Sequence, residues 1–400
     1  MEDSLNELRA DKGIPSIITV AGIGGGGGNA VDYMYEQGIT GVNFMICNTD
    51  KQALNRSRIK RKIVMGDGLG AGNDPKVGRA KAIEALDAIR ESFNSLGTKM
   101  LFLTAGMGGG TGTGASPAIA KLAREMDILT VAIVTTPFSF EGPKRIKQAA
   151  AGIEELSKYV DSILIIENDT IAKIYGNLSA NDAFSKADET LTLAAKGIAE
   201  LIMIPGKHNV DFADVRNVLL NSGRVHMSVA RAKGVNRIEE LITRALNSPL
   251  MERPITGARD AIINISSSSF DNSFTLEQTT QVLKAIHDAA GPVNGGDGIN
   301  IIWGTTEKPE LGEEVEMMLV ATNFEETHSR NDKGIVVLGT RRNRYVDIDT
   351  IKNTPAFQRR NYNIIVNVSG YSSDTELMQE TTRETDKRKS DSTLFDNGEH

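Results

Sequence analysis

Nine residues, Gly106-Met107-Gly108-Gly109-Gly110-Thr111-Gly112-Thr113-Gly114, follow an apolar run (Met100 to Thr104) and precede a helical pattern that begins near Ala115. Strand, then glycines and hydroxyls, then helix is how a backbone turns consecutive N–H groups toward an anion at a helix N-terminus. The chemistry predicted is phosphate binding. A second run, Gly22-Ile23-Gly24-Gly25-Gly26-Gly27-Gly28-Asn29, follows the first apolar segment and opens the first helix, and Asp50 ends the second apolar segment. Alone, that arrangement fits a dinucleotide fingerprint, with glycines for a pyrophosphate and a later acid for a ribose, and allows a nicotinamide-dependent oxidoreductase. A dinucleotide unit has no use for the Gly108 to Gly114 tract on a later strand, whereas two glycine loops at neighbouring strand ends can enclose one polyphosphate. No Gly-x-x-x-x-Gly-Lys-Ser/Thr sequence occurs, so the P-loop route to phosphate is absent.

Other residues carry both a structural and a chemical reading. Glu141 and Arg145 have the spacing of an i, i+4 surface ion pair. Asp211 and Asp214, three apart, share one side of a helix start, where Asp211 would cap and Asp214 would sit in the first turn. Phe184 reads as a core aromatic and Asp188 as a first-turn residue of the helix that follows. Histidines 208, 226, 287, 328 and 400 show no ligand spacing, and no transition-metal site is expected.

The elements that must position these residues alternate through the first half of the chain. Ser16 to Ala21, Val42 to Cys47, Met100 to Thr104, Leu129 to Thr135 and Ser162 to Glu167 read as buried strands; Asn29 to Glu36, Pro75 to Ser95, Ser116 to Met126 and Lys144 to Lys158 read as helices. That alternation implies a mainly parallel sheet covered on both faces, an α/β fold. Leu191, Ala194, Ala195, Ile198, Leu201 and Ile202 give one apolar helix face, ended by Pro205-Gly206, which reads as a connector at about 186–204. Beyond it, helices at Arg237 to Asn247 and Leu276 to Ala289, with strands at Ala261 to Ser266, Gly298 to Gly304 and Val315 to Thr322, predict a smaller α/β domain.

Composition narrows the classes. With 400 residues, two domains are expected, at 1–14 a flexible N-terminus, then 15–206 and 207–325. The net charge of −7 gives no broad footprint for nucleic acid. The single cysteine, Cys47, lies in an apolar run and excludes an internal disulfide. The polar N-terminus and the lack of a membrane-length apolar stretch predict a cytoplasmic protein with no direct membrane insertion. Residues 326–400 are mostly polar; 370–400, nearly without core-forming residues, cannot offset their ordering entropy and read as disordered, while the short apolar runs Ile335 to Leu338 and Ile364 to Val368 read as added strands or partner-binding segments.

Gly108-Gly109-Gly110-Thr111-Gly112-Thr113-Gly114 resembles the tubulin signature, and with Gly22 to Ala30, Asn48-Thr49-Asp50, Gly68 to Gly72, Pro137 to Gly142 and Asn168-Asp169 in order, the chain resembles the tubulin/FtsZ family over about residues 15 to 325. The resemblance implies a Rossmann-type GTP-binding domain joined by a central helix to a smaller C-terminal domain that activates GTP hydrolysis. It implies that Gly24, Gly25, Gly26, Gly27, Gly28, Asn29, Gly108, Gly109, Gly110, Thr111, Gly112 and Thr113 hold the phosphates of GTP or GDP. Glu141 and Arg145 would reach the ribose and phosphate, and Asn168, Phe184 and Asp188 would select guanine. Asp211 and Asp214 would complete the nucleotide site of the next subunit, in a head-to-tail homopolymer at the mid-cell division ring. Magnesium would be held mainly through phosphates and water, so no protein ligand is assigned. Thr354 to Arg360 resembles the family's peptide for membrane-anchoring and regulatory division partners.

Overall fold

The computed structural model describes residues 16–175, 179–203, 210–248, 254–268, 274–292 and 298–324. The readings placed on 1–14, on Pro205-Gly206 and on the 326–400 tail with Thr354 to Arg360 lie outside the described residues.

The first part of the chain runs β1 (Ile18–Ile23), α1 (Gly24–Glu36), β2 (Asn43–Asn48), α2 (Lys51–Arg56), β3 (Arg61–Val64), α3 (Pro75–Glu84), α4 (Leu86–Ser95), β4 (Met100–Gly106), α5 (Thr111–Glu125) and β5 (Leu129–Thr136). It continues through α6 (Pro143–Ser157), β6 (Ser162–Glu167), α7 (Asn168–Tyr175), α8 (Ala180–Met203), α9 (Phe212–Leu219) and β7 (Gly223–Arg224). These strands form one seven-stranded sheet in the order β3-β2-β1-β4-β5-β6-β7. Every pairing in it is parallel. The order reverses between β1 and β4, which pair from Ile18–Met100 to Ile23–Ala105, so the loops leaving these two strands flank one crevice.

The second part comprises β8 (His226–Ala232), α10 (Arg237–Leu246), β9 (Asp260–Ser267), α11 (Leu276–Ala290), β10 (Asn300–Glu307) and β11 (Val315–Thr322). Its sheet has the order β10-β9-β11-β8, with β11 antiparallel to both neighbours.

Strand alternation sorts the core into layers. On one face of the large sheet, Ala21, Ile23, Leu101 and Leu103 pack with residues of α3 to α6. On the other, Ile18, Val20, Phe102 and Val131 join Val31 of α1, Leu191, Ala195 and Ile198 of α8, and Met227, Ile262, Met318 and Val320 of the small sheet. The outer face of the small sheet closes over Leu241, Val282 and Ile286 of α10 and α11. Helix α8 is thus shared by both sheets, which is why it reads as apolar over so many turns.

The elements depart from the sequence expectations at several places. Helices α1 and α5 begin inside the glycine tracts, at Gly24 and Thr111, rather than near Asn29 and Ala115. The single expected helix 75–95 breaks at Ala85 into α3 and α4. Helix α8 starts at Ala180, because the Ser179 hydroxyl accepts from Asp182 N–H at 3.2 Å and donates to its carboxylate at 2.6 Å. Asp188 is therefore in the third turn, not the first. Strands β3, β7 and β8 were not expected; β3, β7 and β8 are all edges, where short or alternating sequences replace continuous apolar runs.

A buried ionic cluster ties α8 to the small sheet. Lys308 Nζ lies 2.7 Å from both Glu200 of α8 and Glu316 of β11, and Arg231 of β8 reaches Glu316 at 2.7 Å. Burial alone would push the Glu316 carboxyl up, but Lys308 and Arg231 outweigh it and hold it below its usual range. Replacing Lys308 with Met should leave two carboxylates buried without their shared cation and cost about 3–5 kcal/mol in urea denaturation. Because the Glu316 shift is downward, its share of this stability is present above the unfolded carboxyl value of about 4.3 and is lost as pH falls below it. An unchanged urea midpoint at pH 7 would contradict this account.

Candidate functional site

Four strand ends on one edge of the large sheet carry the residues singled out from sequence. The Gly24 loop leaves β1, the Met107 to Gly110 loop leaves β4, Pro137 to Gly142 leaves β5, and Asn168 follows β6. Helices α1 and α5 have no side-chain cap, as is also true of α4, α6 and α10, whereas α2, α3, α9 and α11 are capped by Asp50, Asp74, Asp211 and Thr275. Two uncapped N-termini flanking the switch-point crevice offer backbone N–H groups and the positive ends of two helix dipoles to one anion.

Close backbone approach sets this geometry. A Cβ on Gly27 would lie 2.2 Å from Thr104 O, and one on Gly112 would lie 2.4 Å from Gly106 O, so any larger residue would drive α1 or α5 off the sheet. By contrast, a Cβ on Gly25, Gly28 or Gly109 would meet nothing within 4 Å. The open glycines form a cradle of bare backbone that suits phosphate oxygens. Gly26 approaches Gly106, and Gly108 N–H donates to the Thr113 hydroxyl at 2.8 Å, which fixes the second loop. Thr111 and Thr49 hydroxyls meet at 2.6 Å and join that loop to the end of β2. Asn29 is exposed on α1 beside the open glycines.

Asp50, the acid of the dinucleotide reading, caps α2 instead: its Oδ1 accepts from Gln52 and Ala53 N–H at 2.8 and 3.2 Å. Asp50 therefore has a structural role that needs no ribose.

Beside these loops lie an aromatic group, a buried amide with an unpartnered oxygen and a desolvated carboxyl. Phe184 on α8 is 42% exposed, contrary to its reading as a core residue, and its ring stands edge-on to Phe138 at 5.1 Å. Phe138 stacks on Phe140 in the same loop. Ser139 N–H in that loop donates to Asp169 at 2.8 Å, which draws the loop against the start of α7, where Asn168 sits. Asn168 is buried, and its Oδ1 has no hydrogen-bond partner. One turn beyond Phe184, burial pushes the Asp188 carboxyl up to about 7. An orphaned amide oxygen and a desolvated carboxylate near an exposed aromatic ring match a ligand with a flat face and several N–H donors.

Glu141 and Arg145 form their i, i+4 ion pair, and Glu141 also accepts from Phe138 N–H at 2.9 Å. The structure thus shows the structural reading of these two and leaves the Arg145 side chain partly exposed at the rim. Asp169, Phe138 and Phe140 belong to the motifs named from sequence, where they have no individual role; the Ser139–Asp169 bond and the ring contacts show what each does.

Asp211 and Asp214 lie elsewhere. Each carboxylate accepts from the other residue's N–H, at 2.8 and 3.2 Å, in a reciprocal capping box on α9. Arg216 of α9 pairs at 3.4 Å with Asp127, just before β5, so α9 lies at the edge where strands enter the sheet. The glycine loops lie where strands leave it. Along β5, eight residues long, these edges are about 25 Å apart.

Among the described residues no group of three His, Cys, Asp or Glu could hold a metal, and no helix is long and apolar enough to cross a membrane.

Comparison with known proteins agrees with the architecture. Residues 17–176 match the family model described as the tubulin/FtsZ family GTPase domain, and residues 223–325 match the FtsZ family C-terminal domain. The cell division protein FtsZ of Porphyromonas gingivalis is 46% identical over 332 residues, 81% of this chain and 71% of that protein. A solved structure of an empty FtsZ dimer from M. jannaschii is 36% identical with a TM-score of 0.70, covering 80% of this chain and 92% of that one. The GDP-bound monomer of CetZ1 from Haloferax volcanii, 21% identical with a TM-score of 0.66 over 76% of this chain and 93% of that one, shares the fold. The first model covers most of the large parallel sheet and the second the small mixed sheet, in that order along the chain, and with the 46% identity to a curated relative they settle the family: the chain belongs to the tubulin/FtsZ family of GTPases.

Proposed function

We propose that this chain is a cell-division GTPase that assembles head to tail into filaments and hydrolyses GTP between neighbouring subunits. The carrying observation is the separation of its two chemical parts. The glycine loops and Asn168, Phe184 and Asp188 occupy one edge of the sheet; Asp211 and Asp214 occupy the other, about 25 Å away along β5. A subunit's own aspartates cannot reach its own phosphates, but those of a second copy stacked on that edge can. Such a heterologous contact need not close and propagates as a filament.

In this reading Gly24 to Asn29 and Gly108 to Thr113 hold the phosphates with backbone N–H groups, and Arg145 adds a fork of donors once released from Glu141. Glu141 then accepts from ribose hydroxyls. Asp188 accepts from the N1–H and exocyclic amine of guanine, a pattern adenine lacks, while Asn168 uses its free oxygen and Phe184 stacks. Each capping-box carboxylate keeps one oxygen outside the box, and that oxygen orients the attacking water. Phosphoryl transfer needs little more than such positioning and charge stabilisation. Mg2+ is bound mainly by phosphate oxygens and water and supplies countercharge to the triphosphate. The GTP-binding part spans 15–206 and the activating part 207–325. The Thr354 to Arg360 peptide engages membrane-anchoring and regulatory partners, which place the filament at the mid-cell ring.

Turnover per subunit should rise steeply with protein concentration and follow light scattering after GTP addition; a specific rate constant from dilute protein upward would rule out hydrolysis in trans. Asp211→Asn keeps a good helix cap, since Asn caps as well as Asp. That variant should retain its melting temperature and GTP binding and lose about a hundredfold or more in turnover, which separates chemistry from capping. GTP affinity should also depend on pH. With the Asp188 carboxyl at about 7 before binding, the accepting carboxylate form is depleted below that pH, so the dissociation constant should rise towards tenfold per unit below 7 and level off above it. A flat profile between pH 6 and 8 would remove Asp188 from the base site.

A further inference from the structure

We propose that Asp127 and Arg216 are a positioning pair that fixes the orientation of α9, and hence the direction in which Asp211 and Asp214 face the neighbouring subunit; this rests on the trans-hydrolysis reading above.

Asp127 ends α5 with a φ of 53°, in the left-handed region where glycine is the relaxed choice. Its side chain is 93% exposed and gains nothing from packing. The described polar contact of that side chain is with Arg216, whose Nη2 lies 3.4 Å from Asp127 Oδ1. At this left-handed position, which glycine fits best and Asp or Asn tolerate, the chain carries the residue whose carboxylate reaches the helix bearing the two aspartates.

The anchoring of α9 is lopsided. Its C-terminal turn is tied down by hydrogen bonds from the Ser162 hydroxyl to Leu219 O at 2.5 Å and from the Thr322 hydroxyl to Val218 O at 3.1 Å. Its N-terminal turn has its own capping box, whose described hydrogen bonds join the two aspartates to each other, while Val210 and Phe212 beside them pack against the core. Between these ends, Val215 is buried, and Arg216 is the polar side-chain tether from α9 to the body of the sheet among the described residues. The far side of that tether is itself rigid. Asp161 accepts from Thr130 N–H at 2.8 Å and from the Asn221 backbone, joining the entry of β5 to the turn that follows α9. A rotation of α9 would swing both carboxylates while leaving its buried C-terminal turn in place, and the Asp127–Arg216 pair opposes that rotation.

An exposed ion pair adds little to stability, so the expected signature is a loss of rate without a loss of fold. Asp127→Gly relaxes the backbone and removes the carboxylate. It should leave the melting temperature equal or higher, leave GTP binding and the KM for GTP unchanged, and lower kcat at saturating protein three- to tenfold. The charge-swapped double variant D127R/R216D should recover at least half of the turnover lost in R216D alone, at a matched melting temperature. Wild-type kcat in Asp127→Gly, or a double variant no faster than R216D, would overturn the positioning role. Asp211→Asn is run alongside: if it is inactive while Asp127→Gly is fully active, the positioning idea alone fails, and if Asp211→Asn turns over normally, the trans-hydrolysis reading fails with it.

Discussion

The structure depends on how closely two helices can approach the sheet at its switch point. Gly27 lies against the Thr104 carbonyl and Gly112 against the Gly106 carbonyl, at separations that no side chain would permit. Only because both contacts are bare do α1 and α5 begin at the strand ends, with their first N–H groups uncapped and converging. Every other part of the candidate site is arranged around that convergence. The β5 loop and α7 close one side, α8 brings Phe184 against the β5 loop, and Thr49 braces the second loop. The glycines are thus of two kinds, those that must be small for packing and those, Gly25, Gly28 and Gly109, that face open space.

Helix α8 links the two halves in a different manner. It is buried against both sheets in a single apolar cluster, and near its end the Glu200–Lys308–Glu316 cluster pins it to the small sheet. A cavity of about 60 Å³ lies beside that pin, lined by Gly197, Met318 and Asn264, and is far smaller than a nucleotide needs. Its residues serve the join between the sheets.

Much of this was legible in the sequence. The apolar runs that became β1, β4, β5 and β6 are central strands covered on both faces, and such strands announce themselves as continuous runs. Strand β8, His-Met-Ser-Val-Ala-Arg-Ala, was hidden because an edge strand interleaves small and charged residues. The true starts of α1 and α5 were hidden for a related reason: glycine is a poor helix former, yet the site needs helical N–H groups within the tracts themselves. The break at Ala85 is marked by neither Gly nor Pro. For the candidate site, the glycine loops stand out by residue type alone, whereas Asn168, Phe184 and Asp188 do not. What distinguishes them is an unpaired oxygen, an exposed ring and a desolvated carboxylate, all of which depend on neighbours distant in the chain. For Asp211 and Asp214 the capping and chemical readings coexist, since the box uses one oxygen of each.

The placement of α9 at the strand-entry edge and the glycine loops at the strand-exit edge gives any linear array of these subunits a polarity. One terminus displays glycine loops with no aspartates above them, and the other displays aspartates with no glycine loops below. Under trans-hydrolysis the subunit at the first terminus is chemically silent while it remains last, and its triphosphate becomes labile only when another molecule covers it. The two tips of the array then differ in nucleotide content, so growth and loss need not occur at the same tip. A single rigid sheet, with its working parts at opposite edges, is sufficient to produce that asymmetry.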